Sequence, residues 1–248
     1  MKLTIVGCAA AWTRRPGVAS SCYLVELGRA AVLLDLGQGA FSELARYRDP
    51  ASIAAVLVSH LHADHLVDVV PLRHYLKFEA QRTSDVHLRG PAELRPRLDA
   101  FQAESGFLDV MPGEPLEPGE FELRGFAVRA RHVTHIEDSF AFRLSPVGRA
   151  GPGLVYSGDC ARADDLLPLI EEGDTLLCEA AFGSADGGGG GHLTARQAAG
   201  AASRAGAGQL ILTHILDRHD EEAARKAAGD VFGGPVSVAR PGRSFELA

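Results

Sequence analysis

Cysteines, long apolar runs and a leader peptide are scarce or missing in this 248-residue sequence, and each scarcity argues against a class of protein. The four cysteines lie singly and form no C-x-x-C pair, so we expect buried thiols in a reducing compartment rather than disulfides. No apolar run approaches the roughly 20 residues of a membrane span. Residues 1–7 alternate like a strand and lack the longer apolar core of a signal peptide. We therefore predict a cytoplasmic protein with no membrane partner.

An excess of positive charge is also missing. The formal net charge is −7, from 25 Lys and Arg against 32 Asp and Glu, and both signs are mixed along the chain. A general nucleic-acid binder carries a basic patch or stripe, so this composition disfavours that class without excluding a local patch. The hydrophobic share of 46% suffices for a sizeable core, and no internal repeat of fixed period is evident. We predict a single domain over residues 1–248.

Short apolar runs that alternate with helical stretches predict the architecture. We expect strands at 3–6, 21–26, 31–34, 53–58, 86–88, 121–132 with a break at Gly125, 139–144, 153–156, 175–178 and 209–212. We expect helices at 40–47, 66–79, 91–102, 164–172, 194–204 and 221–228. Pro71 interrupts the second, where it starts or kinks a helix, and the fifth opens on a Thr-x-x-Gln capping box. A block of strands followed by strand–helix alternation occurs twice. This pattern indicates an α/β fold with two packed sheets and helices outside them.

The segment 59–65, Ser-His-Leu-His-Ala-Asp-His, concentrates metal-binding side chains at the end of the 53–58 strand. On an extended chain residues two apart point the same way, so His60 and His62 can bind one ion. Asp64 and His65 are adjacent and can face a second ion. Imidazole and carboxylate suit Zn, Fe or Mn, and two metals about 3.5–4 Å apart are common in hydrolases. The alternative is a polar strand-to-helix turn whose histidines have no function.

The 60–65 segment resembles the H-x-H-x-D-H signature of the metallo-β-lactamase superfamily, and further signposts of that family follow in order over nearly the whole chain. The resemblance implies a four-layer αβ/βα sandwich of two mixed sheets with outer helices. It also implies two divalent ions, Zn or Mn, with Asp159 bridging them. The remaining implied ligands are His60, His62 and His135 for one ion, and Asp64, His65 and His214 for the other.

Two choices stay open near these ligands. His132 competes with His135, and three residues apart on extended chain the two point to opposite faces. We prefer His135 because residues 138–143 resemble the strand that follows this ligand in the family. Asp35 stands between a strand and a helix, where it either supports the metal site from behind, as in the family, or serves the helix dipole. The histidines outside any motif are expected not to bind metal: His74, His87 and His219.

Two further segments resemble the ribonuclease Z branch of the superfamily. Residues 178–182, Cys-Glu-Ala-Ala-Phe, are similar to that branch's E-A-T-F segment, and residues 192–194, His-Leu-Thr, are similar to its H-S-T segment. The resemblance implies that Glu179 and His192 assist protonation of the leaving group. Asp64 would orient the attacking water or take its proton.

The segment between His135 and Asp159 departs from ribonuclease Z. Only residues 136–158 separate the two, which is room for a strand pair and not for a long tRNA-gripping arm. Small phosphodiesterases of the same branch, including cyclic-nucleotide ones, lack that arm. We therefore predict a metal-dependent phosphodiesterase acting on small phosphodiesters, with nucleic acid disfavoured as a partner and a homodimer left open. The alternatives are a ribonuclease Z, a lactonase or thioesterase, and a non-catalytic metal-binding module.

Two loops lie outside these motifs. Arg14 and Arg15 can hold phosphate, although we expect at least one of them to be a solvated surface residue. The five consecutive glycines 187–191 have great backbone freedom, and we expect a solvated connector there in preference to a lid.

Overall fold

The computed structural model of the chain describes residues 1–80, 85–187 and 190–247. The prediction of a glycine loop at 187–191 falls partly outside this range, at Gly188 and Gly189. In the part that is described, no helix is both long and apolar enough to cross a membrane.

The described strands form two mixed sheets. The six-stranded sheet has the order β13-β1-β2-β3-β4-β5, and the seven-stranded sheet has the order β12-β11-β10-β9-β8-β7-β6. The first sheet contains β1 (Lys2–Gly7), β2 (Cys22–Leu27), β3 (Ala30–Leu34), β4 (Ala55–Leu57), β5 (His87–Arg89) and β13 (Ser244–Glu246). The second contains β6 (Gly119–Leu123), β7 (Phe126–His132), β8 (Phe140–Pro146), β9 (Leu154–Tyr156), β10 (Thr175–Glu179), β11 (Gln209–Thr213) and β12 (Val236–Val238).

Helices cover the outer faces of both sheets. They are α1 (Ala40–Leu44), α2 (Ala63–Leu66), α3 (Val69–His74), α4 (Leu94–Gln102), α5 (Ala195–Ala205) and α6 (Glu221–Gly229). The capping box predicted at the start of α5 is present, with Thr194 accepting from the Gln197 backbone and Gln197 accepting from the Thr194 backbone. Small alanines on the buried faces of α5 and α6 let these helices approach the second sheet closely.

Alternating side chains along the strands build three apolar layers. On β2 and β3, Tyr23, Val25, Val32 and Leu34 point into a core shared with Phe142 and Ile211 of the other sheet. The intervening residues of each sheet point outward. Those of the first sheet pack against α1, α3 and α4, and those of the second sheet pack against α5 and α6. A sheet buried on both faces reads as a continuous apolar run, as these strands do. The predicted four-layer sandwich of two packed sheets with outer helices is confirmed.

Several predicted boundaries were wrong for local reasons. The 164–172 helix is only a 3₁₀ turn, Ala163–Leu166, because Pro168 lacks the N–H that a longer helix would need. The 66–79 stretch, predicted as helical with an interruption at Pro71, consists of the end of α2, then α3 and a π-helical turn, Tyr75–Glu79. Pro71 stands in the first turn of α3, where a backbone N–H is not required.

The sheets place the candidate site at one edge of the molecule. Strands β3 and β4 run parallel, as do β9, β10 and β11. Asp35, Asp159 and His214 follow the carboxyl ends of β3, β9 and β11 directly or within three residues, and Glu179 is the last residue of β10. Ligands of open α/β sheets bind outside such carboxyl ends.

Candidate metal centre

The local backbone explains how the 60–65 segment presents its side chains. His62, which directly precedes α2, has a φ of −77° and a ψ of 146°. His60 and His62 lie in the bend between β4 and α2, while Asp64 and His65 lie in the first turn of α2. The structure brings together the four side chains that the sequence singled out here.

The first group of candidate ligands gathers three imidazole nitrogens and one carboxylate oxygen, all within 4.8 Å of one another: His60, His62, His135 and Asp159. His62 Nδ1 lies 3.1 Å from His60 Nε2 and 3.2 Å from His135 Nε2. Asp159 Oδ2 lies 3.6 Å from His60 Nε2 and 3.7 Å from His135 Nε2. A single ion at their centre would meet four donors, the number that Zn²⁺ prefers.

The second group uses the other oxygen of the same carboxylate: Asp64, His65, Asp159 and His214. His214 Nε2 lies 3.1 Å from Asp64 Oδ2 and 3.3 Å from His65 Nε2. Asp159 Oδ1 lies 3.4 Å from His65 Nε2 and 3.6 Å from His214 Nε2. The two oxygens of Asp159 thus face two separate groups, which is the geometry of a bridging ligand.

The buried oxygen Asp159 Oδ1 tests whether a metal fits here. It has no hydrogen-bond partner among the residues described, although its side chain is only 2% exposed. Buried polar atoms nearly always have a partner, so an orphaned carboxylate oxygen facing histidine nitrogens calls for an ion. The clusters fit a metal site, and both are built from nitrogen and oxygen donors of the kind that bind Zn or Mn.

Electrostatics favour the protonation states that metal binding needs at His60 and Asp159. At His65 burial alone would lower the pKa, but the charges of Asp159 and Asp35 raise it well above the usual value, so a metal bound there must displace a proton. Burial lowers the pKa of His60 well below its usual value, and the neighbouring His65 adds to the effect, so His60 stays neutral with a free lone pair. Burial opposes ionisation of Asp159, yet His214 and His65 together hold the pKa of its carboxyl well below the usual range. Asp159 is therefore an anion despite its burial.

Asp35 lies directly behind the second group. Its Oδ2 lies 2.7 Å from His65 Nδ1, and it accepts hydrogen bonds from Ser59 Oγ at 2.8 Å and Tyr156 OH at 2.6 Å. Its Oδ1 accepts from the Ser59 backbone at 2.6 Å. A carboxylate on Nδ1 fixes the tautomer of a histidine and leaves Nε2 free for a metal. Of the two roles left open for Asp35, the geometry favours support of the metal site.

Close backbone packing holds the 60–65 segment against the residues that follow Asp35. Leu36 N donates to His65 O at 2.8 Å. A Cβ on Gly37 would lie 1.9 Å from the Asp64 carbonyl oxygen, so no larger residue fits at that position. Asp35 itself has a φ of 62°, a left-handed conformation that is rare outside glycine and clusters at functional sites.

The choice between the two histidines after β7 agrees with the sequence preference. His135 joins the first group, and its Nδ1 lies 2.8 Å from the Gly191 carbonyl oxygen, which leaves Nε2 toward the other ligands. His132 is exposed and stacks on Phe140, with ring centroids 4.5 Å apart. Within the described ranges no candidate metal group includes the other histidines expected to be non-ligands: His74, His87 and His219.

Glu179 and His192 form a pair beside the two metal groups, and with His214 they make a third cluster of side chains that could hold an ion. His192 Nδ1 lies 2.9 Å from Glu179 Oε1 and 3.8 Å from Asp159 Oδ2. The Glu179 carboxylate is itself fixed, because it accepts from the Cys160 and Ala181 backbones at 3.0 Å each. Burial alone would lower the pKa of His192, but the hydrogen bond and charge of Glu179 raise it above the usual value. The side chain of His192 is 22% exposed, so it meets solvent while Glu179 does not.

The two arginines considered for phosphate have different environments. Arg15 is already ion-paired, with Asp217 at 3.1 Å and Glu221 at 2.7 Å, so its charge is neutralised. The Arg14 side chain is exposed.

Sequence reasoning missed Tyr156, whose hydroxyl donates to Asp35, because this tyrosine lies in an apolar strand and carries no motif signal.

Comparisons with known proteins agree with this geometry. The sequence model of a family described as "Beta-lactamase superfamily domain" matches residues 31–215. An uncharacterized Mycobacterium leprae protein, ML1173, is 31% identical over 260 residues, covering 100% of this chain and 89% of its own length. A ribonuclease Z of Myxococcus xanthus is 27% identical, covering 87% of this chain and 88% of its own length.

A solved structure with the same fold belongs to another of these relatives. The probable metallo-hydrolase YhfI of Bacillus subtilis is 28% identical, covering 99% of this chain and 100% of its own length. Its crystal structure, described as a metallo-beta-lactamase fold protein, superposes with a TM-score of 0.87 and covers 99% of each chain.

Proposed function

This chain belongs to the beta-lactamase superfamily, and on that premise we propose that it is a binuclear metal-dependent hydrolase, specifically a phosphodiesterase of small phosphodiesters such as cyclic nucleotides. The observation that carries the proposal is the Glu179–His192 pair, 2.9 Å apart and beside two metal-binding groups. A protein that only stores or carries metal has no use for a proton donor at this position.

Seven residues would hold the ions: His60, His62 and His135 at one site, Asp64, His65 and His214 at the other, and Asp159 between them. Two divalent ions, Zn or Mn, when bound would polarise phosphoryl oxygens and lower the pKa of water. Asp64 contributes one oxygen to its group, and we assign its carboxylate the further task of orienting the attacking water or accepting its proton.

His192 would donate a proton to the leaving oxygen. Its Nδ1 is engaged by Glu179, so its Nε2 is the nitrogen available to a substrate. Because the hydrogen bond and charge of Glu179 raise the pKa of His192, the form with protons on both nitrogens is favoured. Glu179 thereby orients His192 and keeps it protonated, which are the two requirements of a general acid.

Small substrates are favoured by the chain between His135 and Asp159. The structure describes all of this segment, and it consists of β8, a turn and β9 with short connections. No arm projects from it that could grip a tRNA. The overall negative charge of −7 also disfavours a polyanionic substrate.

Ribonuclease Z activity is the second candidate, favoured by likeness to the enzyme of that name from Myxococcus xanthus. Zn- or Mn-loaded protein should be assayed against cyclic nucleotides, bis(p-nitrophenyl) phosphate, precursor tRNA, lactones and thioesters. We expect hydrolysis of the small phosphodiesters and poor cleavage of tRNA. Efficient 3′ cleavage of precursor tRNA would establish the second candidate instead, and turnover of only lactones or thioesters would refute both.

The acid role has its own test. His192→Ala should lower turnover of a cyclic nucleotide by roughly 10²–10⁴-fold with metal content intact. The loss should shrink for bis(p-nitrophenyl) phosphate, whose leaving group hardly needs a proton. His132→Ala is the matched control, since this histidine is exposed and lies outside both metal groups. Near-normal turnover of a cyclic nucleotide by His192→Ala would contradict the assignment.

A further inference from the structure

The loop between β1 and β2 is fastened to the turn that follows His214. Thr13 Oγ1 donates to both oxygens of Asp217, at 3.0 and 3.1 Å, and the Arg14 backbone donates to the same carboxylate at 2.7 Å. Asp217 stands three residues after His214. The loop is thus held at the rim of the candidate site by hydrogen bonds to a charged acceptor, which are among the stronger kind.

The same loop is anchored from its other side by apolar packing. Ala10, Ala181 and Leu216 form a small buried cluster against which Phe182 packs. The Phe182 ring meets the His192 ring edge to face, with centroids 5.9 Å apart. Ala10 therefore lies one side chain away from the proposed general acid.

Trp12 stands between these two anchors, two residues after Ala10 and one before Thr13. It is the single tryptophan of the chain, and it is 56% exposed although tryptophan is usually well covered. The first residue of the same loop, Cys8, accepts from the backbone of His214 at 3.2 Å, which places the loop beside a candidate metal ligand. A large flat ring is thus held toward solvent on a fastened loop at the edge of the site.

We propose that Trp12 is a stacking platform for the base of a nucleotide substrate, a role that rests on the proposed phosphodiesterase function. His192 donates to the leaving oxygen, so the sugar that carries this oxygen lies on the His192 side of the metal groups. The base attached to that sugar extends toward the same rim, where Trp12 is the exposed aromatic residue. Every base offers a flat face, so stacking of this kind selects nucleotides over baseless phosphodiesters without reading base identity.

The single tryptophan gives a direct test in the unaltered, metal-loaded protein. Intrinsic tryptophan fluorescence reports Trp12 alone. We expect saturable quenching by adenosine monophosphate, which is not a phosphodiester and is not consumed, and none by ribose 5-phosphate at equal concentration. No quenching by either compound, or equal quenching by both, would overturn the platform.

Kinetics of two substitutions supply a second measurement. Trp12→Leu should raise KM for cyclic adenosine monophosphate on the order of tenfold with a smaller change in kcat, while Trp12→Phe should retain most of the affinity because it keeps a flat ring. Phe78→Leu is the control, since Phe78 is 61% exposed and belongs to the Tyr75–Glu79 turn. Equal KM values for the Leu and Phe variants would refute stacking.

These outcomes distinguish failure of the Trp12 stacking proposal from failure of the proposed phosphodiesterase function. Hydrolysis of cyclic adenosine monophosphate without base-dependent quenching would overturn the platform and leave the phosphodiesterase standing. Base-dependent quenching without hydrolysis of any phosphodiester would overturn the function and retain a nucleotide-binding Trp12.

Discussion

Replacing Tyr156 with phenylalanine should weaken one metal site and spare the other. The Tyr156 hydroxyl donates to Asp35 Oδ2 at 2.6 Å, and the same oxygen lies 2.7 Å from His65 Nδ1. His65 belongs to the second group of candidate ligands only. Tyr156→Phe removes the donor that helps to fix the Asp35 carboxylate, while the aromatic ring and its packing remain.

The expected size follows from what Asp35 keeps. Loss of a partner behind a metal ligand typically costs about 10–100-fold in metal affinity. Asp35 retains its two bonds from Ser59 and its contact with His65, so the effect should lie near the lower end, about tenfold. A hydrogen bond to a charged group contributes about 1.5–3 kcal/mol. We therefore expect Tyr156→Phe to lower the unfolding free energy of the metal-free protein by about this amount.

Tyr23→Phe is the matched control. Tyr23 is as deeply buried as Tyr156, and the two rings pack with centroids 5.0 Å apart. Its hydroxyl, however, pairs with neutral Thr213 at 2.8 Å rather than with Asp35. Its loss should cost about 0.5–1.5 kcal/mol of stability.

Competition against a chromophoric chelator measures both affinities, and chemical denaturation measures stability. The wild type should bind two equivalents of Zn²⁺. Tyr156→Phe should bind one of them about tenfold more weakly, and Tyr23→Phe should keep both affinities. The reasoning fails if the two variants have the same metal affinities, because Tyr156 would then serve packing alone.

Three further predictions follow from other parts of the structure. Asp159→Ala should lower occupancy of both ions, since its two oxygens face different groups, and elemental analysis showing loss of only one ion would disprove bridging. Gly37→Ala should destabilise the protein or its metal site because its Cβ would meet the Asp64 carbonyl at 1.9 Å. A melting temperature and metal content equal to those of the wild type would contradict this, and the exposed Gly233→Ala, with open space at its Cβ, is a steric control. All four cysteines are buried, and burial raises the pKa of Cys8 and of Cys160 to about 12, so a thiol reagent should react with none of them in the native protein near neutral pH and with all four after denaturation.

Residues close together in sequence made much of the candidate site predictable. His60, His62, Asp64 and His65 lie within one strand-to-helix connection, so their spacing alone predicts convergence. His135, Asp159 and His214 were placed by family resemblance, because each is a lone polar residue after a strand. The structure brings all seven together, which periodicity and spacing cannot do.

The supporting contacts and the element boundaries were harder to predict. Tyr156 and Asp35 are 121 residues apart, and their hydrogen bond exists only because the two sheets face each other. Arg15 looked available for phosphate until folding placed Asp217 and Glu221 beside it. Pro168 shortened a helix that the polar and apolar spacing favoured, because the missing N–H outweighs a weak local pattern.

The division of the ligands between distant parts of the chain has a consequence for biosynthesis. Asp64 and His214 are 150 residues apart, and a ribosome that adds about 5–20 residues per second needs roughly 8–30 s to make that stretch. During this interval the nascent chain exposes the His60–His62 pair and its acidic neighbour with coordination positions still open. The first candidate group is complete in sequence once Asp159 has been made, whereas the second lacks His214 until β11 has been made and has paired with β10. Completion of the second candidate group is therefore a late event in the synthesis of this protein, and so is completion of the first sheet, whose strand β13 is made last.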